Sequence, residues 1–470
     1  MESRARWKDE MGRRGEKSPF SLVEDGGGRV LVRTPHGAPT LTMKIVQLTP
    51  GTGSFHCGSC LRDSQLIKAL RLRGHEAVMA PLYLPLVTDG EAPSPEQPVR
   101  VGGVSLYFQQ KFPWFHRLPK FVHRWLDNPA LLRWASKRME MTSARDLGEM
   151  TVGSLLGEKG RQWVEWEKLV EWVESEKPDA ISISTSLLIG LAPTFKERCK
   201  VPVVASLQGE DAFLDTLVEP YLSKAWGLMK ENAKSVSCFI SPSKFYAGVM
   251  APRLGVDMEK IAIIRNGLDA EPFKEPHREP ETPTIGYLAR MIHGKGLTTL
   301  VDAFILLAKR NSIPNVCLRI AGAKTLGDEK YINGLEAKLE SAGLRGRVTF
   351  EPNVSFEEKV KFLHEITVFS VPATYGEAFG IYVIEALASG APLVQPRHGG
   401  FPEIIEATGG GLLCEPDDAE SLCNALEDLL KNPERRRALG EKGRQAVLDE
   451  YSAARMAERF EKMLLQLQEK

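Results

Sequence analysis

The chain has 470 residues, 43% of them apolar, enough for large cores in two or three domains. Lysine plus arginine and aspartate plus glutamate number 61 each, so the formal charge is zero and no basic excess points to nucleic acid. No window approaches a membrane-spanning apolar run, the N-terminus lacks a signal-peptide core, and seven scattered cysteines, an odd number, argue for reduced thiols; together these read as a soluble cytoplasmic protein.

Residues 1–42 are Arg- and Glu-rich around Gly26-Gly27-Gly28 and show no sustained periodicity, so a disordered leader is expected, with Met43 the natural start. Residues 44–49 then read as a strand, 50–60 as a glycine-bearing loop, 61–73 as a helix stopped by Gly74, and 76–82 as the next strand. This opening is Rossmann-like, although Gly51, Gly53 and Gly58 do not make the dinucleotide fingerprint. Cys57-x-x-Cys60 has no second pair nearby and is read as two loop thiols, with no metal.

Residues 108–139 are unusual. From Lys111 to Arg138 there are seven cations against one acid, Asp127, with Trp114, Trp125 and Trp134 interleaved. That mixture suits an anionic membrane interface met peripherally, an anionic acceptor, or sugar stacking; aromatic residues packed inward under a solvated basic face suit it equally. An amphipathic helix at 161–175, a strand at 180–184, a helix at 191–199 and a strand at 202–207 follow, the last ending at Gln208-Gly209-Glu210-Asp211. Strands at 236–240 and 261–264 lead to Ser241-Pro242-Ser243 and Arg265-Asn266-Gly267, and the proline-rich stretch 271–283 reads as a linker between a first domain, 43–270, and a second, 284–450.

The second domain opens with a strand at 283–288 running into a loop that carries Arg290 and Lys295, two cations five residues apart that suit a diphosphate. A helix at 297–309 and strands at 316–321 and 348–351 continue the alternation, followed by a short apolar strand at 366–371. Then come a loop with Gly376, Glu377 and Gly380, a helix at 381–389 closed by Gly390, and a strand at 391–395. Glu385 sits past the middle of that helix, apolar nearly all round, where an ionised carboxylate without partners costs several kcal/mol; a ligand offering hydroxyl groups would remove that cost. The first-turn N–H groups near Phe379, Gly380 and Ile381 make an anion site.

Glu377, seven residues, then Glu385, followed by Gly399-Gly400 and Glu403, resembles the donor site of the retaining glycosyltransferases of family 4. The resemblance spans about residues 43–465 and implies a GT-B fold: two Rossmann-like domains facing across a cleft, with a terminal helix at 451–470 crossing back to the first domain. It implies a nucleotide diphosphate sugar of UDP or GDP type as donor, Glu377 on the donor sugar, Glu385 on the ribose, Arg290 and Lys295 on the diphosphate, and Gly53, Phe379, Gly380, Ile381, Gly399, Gly400 and Asp211 around the donor. Relatives often carry His where this chain has Gln208, which can hydrogen-bond but cannot exchange a proton. They also carry Gly where this chain has Glu351, near the expected nucleobase. No Asp-x-Asp motif occurs, so neither metal nor cofactor is expected. An epimerase or phosphorylase on the same architecture, and a sugar-nucleotide-binding protein without activity, are the alternatives.

Overall fold

The computed structural model describes residues 21–24, 30–33, 40–51, 58–82 and 144–469. In chain order the strands are β1 (Ser21–Glu24), β2 (Val30–Arg33), β3 (Thr40–Leu41), β4 (Lys44–Thr49), β5 (Glu76–Pro81), β6 (Ala180–Ile183), β7 (Val203–Ser206), β8 (Cys238–Ser241) and β9 (Ile261–Ile263). They continue as β10 (Thr284–Leu288), β11 (Cys317–Gly322), β12 (Val348–Pro352), β13 (Val368–Phe369), β14 (Leu393–Pro396) and β15 (Gly411–Cys414).

Two six-stranded parallel sheets result, in the orders β5-β4-β6-β7-β8-β9 and β12-β11-β10-β13-β14-β15. Strands such as Ala180–Ile183 and Val203–Ser206 are buried along their whole length, as a parallel sheet covered by helices on both faces demands. In each sheet the chain lays strands in one direction and then reverses, between β4 and β6 in the first and between β10 and β13 in the second. Such reversals leave a crevice at the carboxyl ends of the strands, and the loops after β10 and β13 are those that carry Arg290, Lys295 and Glu377.

The terminal Ala453–Gln468 helix packs Met456, Ala457, Phe460 and Leu464 into the first domain, against Leu66, Ile67 and Leu70 of the Gly58–Leu72 helix. Its approach is fixed by backbone: Leu268 N–H donates to Tyr451 O at 2.9 Å and Ala453 N–H to Leu268 O at 2.9 Å. A Cβ on Gly267 would stand 2.4 Å from Ser452 O, so only glycine allows this crossing. The crossover expected at 451–470 is therefore present.

Glu461 of this helix is buried and accepts from Arg73 Nε at 2.6 Å, with His75 Nε2 at 3.5 Å. Burial works against its charge, but His75 and Arg73 outweigh burial and hold the carboxyl below its ordinary range. A depressed folded-state pKa stabilises above the unfolded value and is lost as pH falls through the folded one. Glu461→Gln should therefore lower the melting temperature at pH 7, a loss of roughly 1.5–3 kcal/mol for a charged hydrogen bond, and the difference from wild type should shrink below about pH 4. A difference independent of pH would remove this account.

Three expectations change. The disordered leader gives way, among the described residues, to an antiparallel meander in which Ser21 pairs with Arg33 and Glu24 with Val30. The physical reason is two short runs rich in Val and Leu, Ser-Leu-Val-Glu and Val-Leu-Val-Arg, on either side of the glycine triplet, a hairpin pattern. The first helix starts at Gly58 rather than 61, and the strand expected at 366–371 pairs only at Val368–Phe369. No helix among the described residues is long and apolar enough to cross a membrane. The basic aromatic stretch 108–139 lies outside the described residues.

Candidate active site

The loop after β10 is tied down before it reaches its cations. Tyr287 OH donates to Arg290 O at 2.9 Å, Met291 N–H to Ala323 O at 2.9 Å, and a short 3-10 turn, His293–Lys295, ends at Gly296 in the left-handed region, φ 73°. A Cβ on Gly296 would lie 1.6 Å from Pro372 O, and Thr374 N–H donates to Gly294 O at 3.0 Å. The two switch-point loops are thus in backbone contact, which brings Lys295 onto Glu377 although they lie 82 residues apart.

Lys295 Nζ forms an ion pair with Glu377 Oε2. Tyr382 OH donates to the same oxygen at 2.9 Å and Tyr375 OH at 3.3 Å. The ammonium also lies 5.0 Å from the Tyr375 ring centre and 5.4 Å from that of Tyr382, a partial aromatic cage. Burial is the largest single influence on Lys295 and pulls its pKa down, but Glu377 and Tyr375 together more than reverse it, so the group stays an ammonium. Tyr382 is pushed up, by burial first and by Glu377 second, and remains a donor. Neither tyrosine was singled out from the sequence; their signal was an aromatic on each side of Glu377, at 375 and 382. Arg290 stands apart, its side chain 53% exposed and 3.6 Å from Asp328 Oδ1.

The double glycine shapes the Glu377 loop through backbone contact. Gly400 N–H donates to Glu377 O at 2.8 Å, and a Cβ on Gly399 would meet Glu377 N at 2.7 Å. Phe379 is buried 6.2 Å from the Tyr451 ring, and Gly380, φ 84°, opens the Ile381–Ala388 helix.

Glu385 corrects one expectation: its burial does not wait for a ligand. Lys359 Nζ, from the Phe356–His364 helix, donates to Glu385 Oε1 at 2.9 Å. The capping box of Ser355 with Glu358 announces that helix in sequence, but nothing there says which carboxylate Lys359 meets. Glu351 is likewise answered, its two oxygens accepting from Nε and Nη2 of Arg319 at 2.7 and 2.8 Å.

Across the cleft, Gln208 ends the β7 segment. Its amide lies 3.5 Å from Ser59 Oγ, and with the amide turned over its oxygen accepts from Arg62 at 2.6–3.2 Å. Arg62 is itself buried against Asp63, which accepts from Thr49 Oγ1 at 2.9 Å. Asp211 Oδ1 accepts from Tyr246 OH at 2.8 Å. Its neighbour Glu210, not expected to matter, is buried and takes Thr185 Oγ1 at 2.7 Å, Ser186 N–H at 2.9 Å and Gln208 N–H at 2.7 Å, which fixes the turn at Gln208. Gly53 and Cys57 lie outside the described residues, while Cys60 is buried beside Thr49. Among the described residues no group of three His, Cys, Asp or Glu side chains could hold a metal ion.

The two halves of the cleft meet. A Cβ on Gly58 would stand 3.5 Å from Ile381 Cδ1, which brings the start of the Gly58–Leu72 helix, next to Gln208, up to the start of the Ile381–Ala388 helix. Ser243 Oγ donates to Ala378 O at 2.7 Å, and Glu403 accepts from Lys244 N–H at 3.0 Å and Phe245 N–H at 2.7 Å.

The family model for glycosyl transferases group 1 matches residues 269–446, and that for glycosyltransferase family 4 matches residues 141–272. The two matches run one after the other over residues 141–446 and make the chain similar to the group 1 glycosyltransferases. Among similar proteins, glycogen synthase of Mycobacterium tuberculosis is 26% identical over 286 residues, 59% of this chain and 66% of that protein. The GDP-mannose-dependent alpha-(1-6)-phosphatidylinositol monomannoside mannosyltransferase of Mycolicibacterium smegmatis is 30% identical over 196 residues, 40% and 50% of the two chains. The chain therefore matches one-half to just under two-thirds of these relatives' own length. The crystal structure of HepE of Anabaena with UDP superposes with a TM-score of 0.63 over 90% of this chain and 100% of that one, at 17% identity. That likeness and the two six-stranded parallel sheets make the fold GT-B, as its residues led one to expect.

Proposed function

We propose that this glycosyltransferase moves a sugar from a nucleotide diphosphate sugar to a hydroxyl acceptor with retention of configuration, in the biosynthesis of a glycan, glycolipid or polysaccharide. The observation that carries the reading is the half-buried Lys295–Glu377 pair at the switch point of the second sheet, with a buried carboxylate, Glu385, on the helix that Glu377 precedes. UDP bound to HepE and the GDP-mannose dependence of the mycobacterial relative support a nucleoside diphosphate donor.

In this reading Lys295 leaves Glu377 for the donor's diphosphate, or is shared between them, and offsets the negative charge that grows as the glycosidic bond to phosphate breaks. Arg290, more than half exposed, turns from Asp328 onto the same diphosphate. Glu377, held by Tyr375 and Tyr382, accepts hydroxyls of the sugar, and Glu385 those of the ribose. Gln208 orients the sugar by hydrogen bonding, and the acceptor proton passes to the departing phosphate oxygen, so no side-chain base is required. The acceptor lies against the first domain.

The test is a melting panel with UDP, GDP, ADP and their common sugar conjugates, followed by proton NMR of the anomeric centre in the product. One nucleoside diphosphate should stabilise, by roughly 2.7 kcal/mol at about a hundred times its dissociation constant. The product should keep the donor's anomeric configuration. No stabilisation by any of the set, or an inverted product, overturns the reading.

A further inference from the structure

The buried pair of Lys359 and Glu385 has a weak structural motive. The two side chains are 16% and 7% exposed, and the Ile381–Ala388 helix around Glu385 is otherwise Ile, Tyr, Val, Ala and Leu. An ion pair in such surroundings contributes little over apolar groups of the same shape, since desolvating both charges offsets most of their attraction. The geometry is nonetheless definite, because the Lys359 ammonium is placed both by Glu385 Oε1 at 2.9 Å and by the Phe356 ring, 4.7 Å away.

The placement is what gives the pair work to do. Lys359 sits on the first helical turns after β12, and Glu385 on the helix after the Glu377 loop, so the pair joins the β12–β13 crossover to the β13–β14 crossover. An ionised carboxylate offers about four lone-pair sites, and an ammonium on one oxygen leaves the remainder for other donors. It also fixes which way they point.

We infer that Lys359 is a positioning residue for the ribose of the donor, holding the Glu385 carboxylate in the orientation in which it reads the ribose 2′- and 3′-hydroxyls. This rests on the donor reading above, and it adds a determinant of ribose over deoxyribose. The chemical class selected is a nucleoside diphosphate with an intact cis-diol.

The test measures affinity for whichever of UDP, GDP and ADP the wild type binds, and for its 2′-deoxy and 3′-deoxy forms, by titration calorimetry. Wild type should prefer the ribonucleotide by about tenfold or more, the scale of a hydrogen bond to a charged group. In Lys359→Met the ribonucleotide should weaken by about that factor while the deoxy forms hold, bringing the ratio towards one. Since Lys359→Met leaves Glu385 buried without its cation, Lys359→Met/Glu385→Leu is the companion variant: apolar replacement of both should restore the melting temperature and keep the flat ratio. A ratio unchanged in both variants, with affinity lost equally for all three nucleotides, overturns the inference and leaves the donor reading intact. Failure of wild type to bind any of them overturns the donor reading, and the inference with it.

Discussion

Lys295→Ala should lower turnover by about two to three orders of magnitude, the cost of removing a preorganised charge from a developing oxyanion. The residue suits that task for three reasons. It is an ammonium held above its ordinary pKa by Glu377 and Tyr375 against the pull of burial, so it is charged at neutral pH. It lies at the sheet's switch point, on a turn that Gly296 pins to Pro372. Its resting partner, Glu377, is also held by Tyr375 and Tyr382, so the ammonium can shift towards a phosphate without leaving that carboxylate alone. The alanine variant should fold, because β10, the Leu297–Arg310 helix and the glycine that joins them are untouched. Initial rates with saturating donor, beside circular dichroism, decide the matter. Turnover within threefold of wild type removes Lys295 from the chemistry.

Gly296→Val should be as damaging, by way of the fold. The position needs φ near 73°, which costs a β-branched residue about 1–3 kcal/mol, and its Cβ would lie 1.6 Å from the Pro372 carbonyl oxygen, a backbone atom that cannot swing aside. The loops after β10 and β13 must then separate, and the Lys295–Glu377 contact goes with them. A fall in melting temperature on the order of 10 °C is expected, using roughly 2–4 °C per kcal/mol. Gly343→Val is the control: its φ is 69°, yet nothing lies within 4 Å of the added Cβ, so it carries the backbone strain without the collision. Equal losses in the two variants would mean that the loop contact contributes nothing.

The fold was legible because its signals are local. Short apolar strands alternate with helices closed by Gly74 and Gly390, and both glycines hold the positive φ that a helix stop favours, 93° and 87°. Glu377, Lys295 and Arg290 were legible as loop residues after strands. Their mutual arrangement was not, since Lys295 meets Glu377 only because Gly296 admits Pro372, a contact that no spacing encodes. The same limit hid Lys359 behind Glu385 and Arg319 behind Glu351, because a partner on a neighbouring element follows from sheet order rather than from local pattern. Gly399 and Gly400 were noticed for their ligand and turn out to be placed by backbone, each too close to 377–378 for any Cβ. The leader misled in the other direction: its charge content outweighed two four-residue runs rich in Val and Leu that do pair.

The contacts between the domains converge on one short segment. Gly376 lies under the Phe245 ring, where a Cβ would be 2.7 Å from it, and Ala378 gives its carbonyl to Ser243; Glu377 is the residue between them. Glu403, just beyond the double glycine that backs this segment, fastens the first turn of the Lys244–Leu254 helix. The carboxylate assigned to the sugar is therefore strung between two anchors on the far lobe, like a string between pegs. Parting the lobes would have to break these contacts, so the position of Glu377 is mechanically tied to the seam between them.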